Sequence, residues 1–446
     1  MLHCAAARYE IKELFLSFFT FCLLQGCLLQ HLYRAARRNT PTKDDTLVSS
    51  KEQAQELITK LERQIANKKT PKQHKAVYLC ARAVLYEALG DRKMLEAARD
   101  AHRFSKTAQS TALVAVALHH FGRIKESLQW YEQSWRYPHE PGFEIDIGYS
   151  GALLFQPDKW QQAWPIVKSL KKRMVYAAYL PFWDGKPCKE VSVLSEGGFG
   201  DLIHNSRYLP LLPVEKVTVY LPKYFFDSGF VDLCKRQPWF PEIKLLSEVP
   251  MHVPAAGFFD LPAIFNSTPE TVPASPVWQA KPLDWHGERP YLKGNPNVGF
   301  CWAARAMETP LCPDGVYRSL TGEQARQIIR TADFLNWVAL QKEFDSVAAE
   351  SNIDTPALQS WEDTAAIIAN LDLVVTVDTG VMHLAAAMGK PTWVILSGAV
   401  DWKFGLEGER CVWYPTMRLF RNNDFGFGNS VQQVGEALGA LSNRAQ

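Results

Sequence analysis

The segment Asp372-Leu-Val-Val-Thr-Val-Asp-Thr-Gly-Val-Met-His-Leu-Ala-Ala-Ala-Met-Gly389 constrains the fold more than any other stretch of this chain. A β-branched apolar run ends at Asp378, and an alanine-rich helix begins within about two residues of Thr379-Gly380. A strand that feeds a helix through so short a turn belongs to an α/β unit with a parallel sheet. Backbone N–H groups at the helix start face whatever lies beyond the strand ends, and the helix dipole favours an anion there. A diphosphate is the ligand such a turn suits. His383, on the first helical turn, can donate to a phosphate or to a sugar hydroxyl. The plainer alternative is that Asp378 and Thr379 only cap the helix and that His383 packs in an interface.

A second turn of the same build is Ser195-Glu-Gly-Gly-Phe-Gly-Asp-Leu-Ile-His204. Its glycines run Gly197-Gly198-Phe-Gly200 and not G-x-G-x-x-G. The following strand ends Val219-Tyr-Leu-Pro222 without the acid that would hold an adenosine ribose, so an NAD or FAD site is not expected. Glycines that let backbone approach a ligand, flanked by Glu196 and Asp201, suit a polyol acceptor. A carboxylate there can take the proton from an attacking hydroxyl. The competing possibility is a tight turn in which Asp201 serves as a helix N-terminal charge.

Short apolar runs at 190–195 and 216–221 define a first α/β unit around the second turn; runs at 297–302, 334–340, 371–377 and 392–396 define another around the first. The proline-rich stretch 273–296 reads as the connection between them. Ahead of both, turns near Gly90, Gly122 and Asp158 recur at about 32 to 36 residues, each followed by a second amphipathic segment, which is the period of tetratricopeptide repeats. A non-repeating helical bundle is the alternative, and the segment is helical on either view. The expected divisions are 1–45 (an apolar segment and linker), 46–180 (helical), 181–285 and 286–446 (two Rossmann-like units).

Leu14 to Leu29 is an apolar run followed by Arg34, Arg37 and Arg38. It falls short of the roughly 20 residues a membrane span wants. Leu24-Gln25-Gly26-Cys27 reads like a lipid-attachment box, against a buried or peripheral helix, an anchor with its positive flank facing the cytoplasm, or an upstream start artefact. The chain of 446 residues carries a formal charge of +2, so it has no broad basic field and nucleic acid is not an expected partner. Its nine cysteines are scattered with no C-x-x-C pair, which fits a reducing cytoplasm better than a disulfide framework or a zinc site.

The two turns, in this order and in separate α/β units, resemble the bacterial glycosyltransferase family 9, the heptosyltransferases, and more closely the tetratricopeptide-repeat proteins with a C-terminal domain of that type. The matching residues are Glu196-x-Gly-x-Gly-Asp201, Arg207-Tyr208-Leu-Pro210, Leu261-Pro262, Gly299-x-x-Trp-Ala303, Arg318-Ser319, Leu340-Gln-Lys342, Asp363-Thr-Ala-Ala366, Asp372 to Leu384 and Trp413 to Arg421. The resemblance implies an α/β fold of the GT-B kind, two Rossmann-like domains behind helical repeats. It also implies a metal-independent, inverting glycosyltransferase without cofactor, using a nucleotide-diphosphate sugar as donor. The family's catalytic base falls on Asp201, with Glu196 and His383 as further catalytic candidates. Its donor-binding residues fall on Asp378, Thr379, Gly380 and His383, with Arg318 and Lys342 as candidates for the basic group at the phosphates. Gly197, Gly200 and Arg207 would lie on the acceptor side. Trp302-Ala-Ala-Arg305 replaces the family's usual Trp-x-Gly-Asn, and Asn422-Asn423 follows Arg421 where glutamine is usual, so the donor stays open.

The implied partners are the nucleotide sugar and a glycan, lipopolysaccharide or protein acceptor docked on the helical repeats, with peripheral association at the inner face of the cytoplasmic membrane as an option. Two other functions compete with this expectation. One is a silent repeat scaffold with a relic GT-B domain; the other is a sugar-nucleotide epimerase of the same fold.

Overall fold

The computed structural model describes residues 51–139, 143–172, 180–283, 295–304, 318–342, 347, 350–424 and 426–442. The apolar segment Leu14 to Leu29 and Arg305 lie outside them. The described chain is α/β, two parallel sheets behind an all-helical region, as the sequence leads one to expect.

Among the described residues seven helices come first: α1 (Lys51–Ala66), α2 (Lys72–Ala88), α3 (Met94–Phe104), α4 (Ala108–His120), α5 (Ile124–Arg136), α6 (Phe143–Leu154) and α7 (Trp160–Lys172). Successive helices pack on one another from α1 to α7. Alanine at Ala97, Ala98, Ala115, Ala117 and Ala163 is buried, which lets the helices approach closely. Thr107 opens α4 by accepting from the Ser110 N–H while Ser110 returns the bond, a reciprocal cap. Gly90 (φ 63°) and Gly122 (φ 70°) make the turns after α2 and α4 in the left-handed region that only glycine enters cheaply.

The first α/β unit follows: β1 (Cys188–Leu194), α8 (Phe199–Asn205), β2 (Val214–Leu221), α9 (Lys223–Asp227), α10 (Phe230–Lys235), β3 (Glu242–Leu245), β4 (Ala255–Gly257) and α11 (Leu261–Ile264). The second contains β5 (Asn297–Cys301), α12 (Gly322–Thr331), β6 (Asn336–Ala339), α13 (Trp361–Ala369), β7 (Leu373–Val377), α14 (Gly380–Ala387), β8 (Thr392–Ile395), β9 (Met417–Phe420) and α15 (Gly428–Ser442). The ladders between these strands are all parallel, with orders β3-β2-β1-β4 and β6-β5-β7-β8-β9, and an isolated antiparallel bridge joins Arg410 to Arg418 of β9. Helices cover such sheets on both faces, so β7 is a run of five buried residues and not an alternating one. The strand order turns back between β1 and β4 in one sheet and between β5 and β7 in the other, and ligands of open parallel sheets bind outside the strand ends at such points.

The two units pack directly. Gly200 of α8 lies against Gly380 of α14, and Arg236 pairs with Glu362 at 2.7 Å. The described part of the expected connection, 273–283, is anchored: Trp278 is buried and its backbone N–H donates to the Ala387 carbonyl at 3.1 Å. The helical region rests on both units through a tryptophan cluster. Trp160 stacks on Trp413 at 5.5 Å and meets Trp402 edge-on at 5.5 Å, while the Trp164 indole N–H donates to the Ser267 carbonyl at 2.7 Å.

Candidate active site

The turn after β7 delivers Asp378 to the strand ends. Arg318 grips that turn, Nε and Nη2 donating to the Asp378 carbonyl at 3.1 and 2.5 Å, and its Nε lies 3.5 Å from Oδ2. The ammonium of Lys403 lies 3.7 Å from Asp378 Oδ1, a charge contact longer than a hydrogen bond. Burial works to raise the Asp378 pKa, but Arg318, Lys403 and His383 outweigh it and hold the carboxyl at about 2. Thr379 does not cap α14: its hydroxyl is paired with Thr376 Oγ1 at 3.1 Å, inside the fold. The capping alternative therefore fails for Thr379, and the α14 N-terminus carries no side-chain cap.

The turn after β1 delivers Asp201 from the other unit. Its carboxylate folds back to accept from the Gly198 N–H at 2.9 Å. A Cβ on Gly197 would stand 2.5 Å from Asp201 Oδ2, so a side chain there would displace the carboxylate. Burial raises the Asp201 pKa above its ordinary value, opposed by Lys403, by the Gly198 N–H and by Arg318. Gly200 lets α8 close on α14, because a Cβ there would meet His383 Cδ2 at 2.8 Å and Gly380 Cα at 3.2 Å.

His383 is buried, with Nδ1 3.2 Å from the Tyr414 hydroxyl and its ring edge-on to His204 at 5.2 Å. Burial first, then Lys403, push its pKa well below the usual range, and His204 is lowered in the same way by burial and Arg207. Both imidazoles are neutral at pH 7, so His383 is a hydrogen-bonding group there and not a cation. Arg207 is buried beneath them. It donates to the His204 and Trp413 carbonyls, each at 2.7 Å, and its guanidinium lies 4.7 Å from the Tyr414 ring centroid. Through Tyr414 it supports His383; it does not line an open acceptor surface.

The structure thus brings together Asp201, His383, Asp378, Thr379, Gly380, Arg318 and Gly200. Glu196 is placed differently. Its buried carboxylate sits over Gly257, where a Cβ would be 1.8 Å from Oε2, and accepts from the Phe259 N–H at 3.3 Å. Lys342 is exposed after β6, with no ion pair among the described residues. No group of three or more His, Cys, Asp or Glu side chains among the described residues is placed to hold a metal ion.

Two functional candidates carry no sequence signal of their own. Asp401 opens the 3-10 turn Trp402–Phe404, accepting from the Lys403 N–H at 3.0 Å, and its Oδ2 is 3.7 Å from Lys403 Nζ. Burial opposes the Lys403 charge, but Asp378, Asp401 and Asp201 raise its pKa above the ordinary lysine value. The loop carrying this pair is seated from behind by the helical region: His119 Nε2–H donates to the Val400 carbonyl at 2.7 Å, and a Cβ on Gly122 would be 3.2 Å from Gly398 Cα.

Fold and site together define a protein of two Rossmann-like units, with the Asp378 turn in one and the Asp201 turn in the other, joined to a helical region. Residues 355–397 match the family model for glycosyltransferase family 9 (heptosyltransferase), a stretch that contains β7 and α14. Among solved structures the chain is similar to the E. coli heptosyltransferase WaaC with ADP, at 12% identity and TM-score 0.36, over 58% of this chain and 100% of that one. It is similar also to the E. coli ADP-heptose lps heptosyltransferase II, at 16% identity and TM-score 0.35, over 57% and 99%. A Thermobaculum terrenum O-GlcNAc transferase matches at 11% identity and TM-score 0.34, over 95% of this chain and 91% of that one. No curated protein sequence matches the chain. Among the described residues no helix is long and apolar enough to cross a membrane.

Proposed function

We propose that this chain is a glycosyltransferase that moves a sugar from a nucleotide-diphosphate donor to a hydroxyl of a glycan or protein acceptor, with inversion and without a metal. The observation that carries the reading is the meeting of Asp201, from the turn after β1, with the Asp378, Arg318 and Lys403 group at the turn after β7. The family 9 match over the second of these turns supports it. The donor's diphosphate would lie at the α14 N-terminus beside Arg318, where fixed dipoles and cations stabilise charge on a leaving group without reorganising. The acceptor oxygen would attack the anomeric carbon from the opposite side. As that bond forms, the carbon–oxygen bond to the diphosphate breaks, the diphosphate leaves with the electron pair, and Asp201 takes the hydroxyl proton. A carboxylate whose pKa burial has raised is a stronger base than an exposed one. The helical region would hold the acceptor.

The test is calorimetry and thermal shift of the full chain with ADP-, GDP-, UDP- and dTDP-sugars, beside Asp378→Ala. Binding of one nucleotide class, lost in the variant, is the expected result. One observation favours the silent scaffold instead: α8 and α14 close tightly at Gly200 and Gly380, where a Cβ on Gly200 would stand 3.2 Å from Gly380 Cα. Absence of binding by all four donors to folded protein would establish that second reading and end the first.

A further inference from the structure

We infer that Lys403 is the cation that meets the donor's diphosphate, held in a cage of carboxylates until the phosphates arrive. This rests on the transferase reading above. Lysine 403 is an unusual residue on geometric grounds. Its side chain is only 13% exposed, yet its ammonium stands 3.7 Å from each of two carboxylates, Asp378 and Asp401, beyond hydrogen-bond length. An ammonium has three donors, and a buried one is costly unless they are used. At 3.7 Å its two carboxylate contacts among the described residues are longer than a close charge-assisted hydrogen bond, which leaves it ready to re-pair with a ligand that offers closer oxygens.

The surroundings fit that exchange. Asp378 Oδ1, the oxygen facing Lys403, has no hydrogen bond among the described residues. The backbone that carries the lysine is fixed: Asp401 caps its turn, Trp402 is wedged against Trp160 and Trp164, and His119 holds the Val400 carbonyl. Only the side chain has to move, and a long side chain on a rigid turn makes a switch without disturbing the fold. Arg318 contacts the same carboxylate and donates to the Asp378 carbonyl, so it steadies the turn beside Lys403. The leaving diphosphate, taking the electron pair of the broken bond, departs against the Lys403 charge.

The test uses the full chain with Lys403→Met, Lys403→Gln and Lys403→Arg, titrated with ADP, GDP, UDP and dTDP and with the matching monophosphates. Wild type is expected to prefer one diphosphate over its monophosphate by about 10- to 100-fold, the scale of a hydrogen bond to a charged group. Lys403→Met and Lys403→Gln should lose that preference while keeping the monophosphate affinity, and Lys403→Arg should keep it. Glutamine covers the case in which methionine fails to fold, since it can still hydrogen-bond Asp378. A folded Met or Gln variant that retains the full preference overturns this inference and leaves the transferase reading standing. If wild type binds none of these nucleotides, both fall together.

Discussion

The turns after β1 and after β7 follow one plan, strand, glycine and helix start, and they touch at Gly200 and Gly380, yet their carboxylates are under opposite pressure. Asp378 is flanked by Arg318 and Lys403 and is held at about 2, while Asp201 has one backbone donor and is raised by burial. Composition does not separate them, since each is an aspartate in the connection from a parallel strand to a helix, Asp378 directly after β7 and Asp201 on the first turn of α8. Neighbours do. Two carboxylates pushed apart in this way can share a site and do different work, one a fixed anion that organises cations, the other a proton acceptor. The same two cations act on both: at Asp378 Arg318 and Lys403 outweigh burial, whereas at Asp201 burial outweighs Lys403, the Gly198 N–H and Arg318.

The largest effect expected from disturbing this contrast is at Asp378. Asparagine there leaves Arg318 and Lys403 facing each other over a neutral group; removing one partner of a fully buried pair costs roughly 3–5 kcal/mol, and the 37% exposure of Arg318 lowers that through solvent screening. The folded carboxyl lies at about 2 against an ordinary 3.8, so its contribution is complete above about pH 4 and is lost as pH falls toward 2. Urea unfolding of wild type and Asp378→Asn should therefore show a wide gap at pH 7 that narrows below pH 4. Equal stability at pH 7 would mean that the cations do not hold Asp378, and the contrast with Asp201 would collapse.

A smaller loss is expected where the two turns meet. Gly200→Ala places a Cβ 3.2 Å from Gly380 Cα and 2.8 Å from His383 Cδ2, and one of these neighbours is backbone. Overpacking of this sort costs about 1–3 kcal/mol. Gly439→Ala in α15, where the added Cβ meets nothing within 4 Å, should instead stabilise by about 0.5–1 kcal/mol, because it removes helix-interior glycine entropy. Thermal melts of the two variants side by side would show whether the α8–α14 contact is as tight as these distances require; a Gly200→Ala protein as stable as wild type would show that the units part easily.

Much of this site is legible in the chain because it sits where local pattern is strong. The run 373–377 is β-branched and wholly buried, and the glycine and alanines after it leave little but a helix start, so the placing of Asp378 follows from sequence. The same holds for Gly197 to Asp201 and for the turn glycines Gly90 and Gly122. Lys403 and Asp401 are not legible, since a three-residue 3-10 turn has no periodicity and their neighbours Asp378 and Asp201 come from distant parts of the chain. Arg207 can be found as part of a motif, but its burial under Tyr414 depends on a loop far along the sequence. The strands β3, β4 and β9 have three or four residues each, too few to show a period. Trp278 lies in a proline-rich stretch that looks like a free connection, and only packing shows that it is pinned.

The smallest effect, and the one of opposite sign, is expected from Asp201→Asn. The amide keeps an oxygen that can accept from the Gly198 N–H, so the turn retains its hydrogen bond. What disappears is a charge that burial disfavours. Because the folded pKa of this carboxyl is raised, its contribution to stability is greatest below its ordinary value and declines as pH rises through the folded one. Asparagine does not titrate, so the variant should gain on wild type as pH climbs from 4 to 7, ending equal or more stable by less than about 1 kcal/mol. Lys403 and Arg318 work against the gain, since each loses an anionic neighbour, and this is why the change is small where that at Asp378 is large. Urea midpoints at pH 4 and pH 7 decide the matter. A loss at pH 7 comparable to that of Asp378→Asn would show that Asp201 too is held as an anion by the cations, which would remove the raised proton affinity on which its assignment as the base depends.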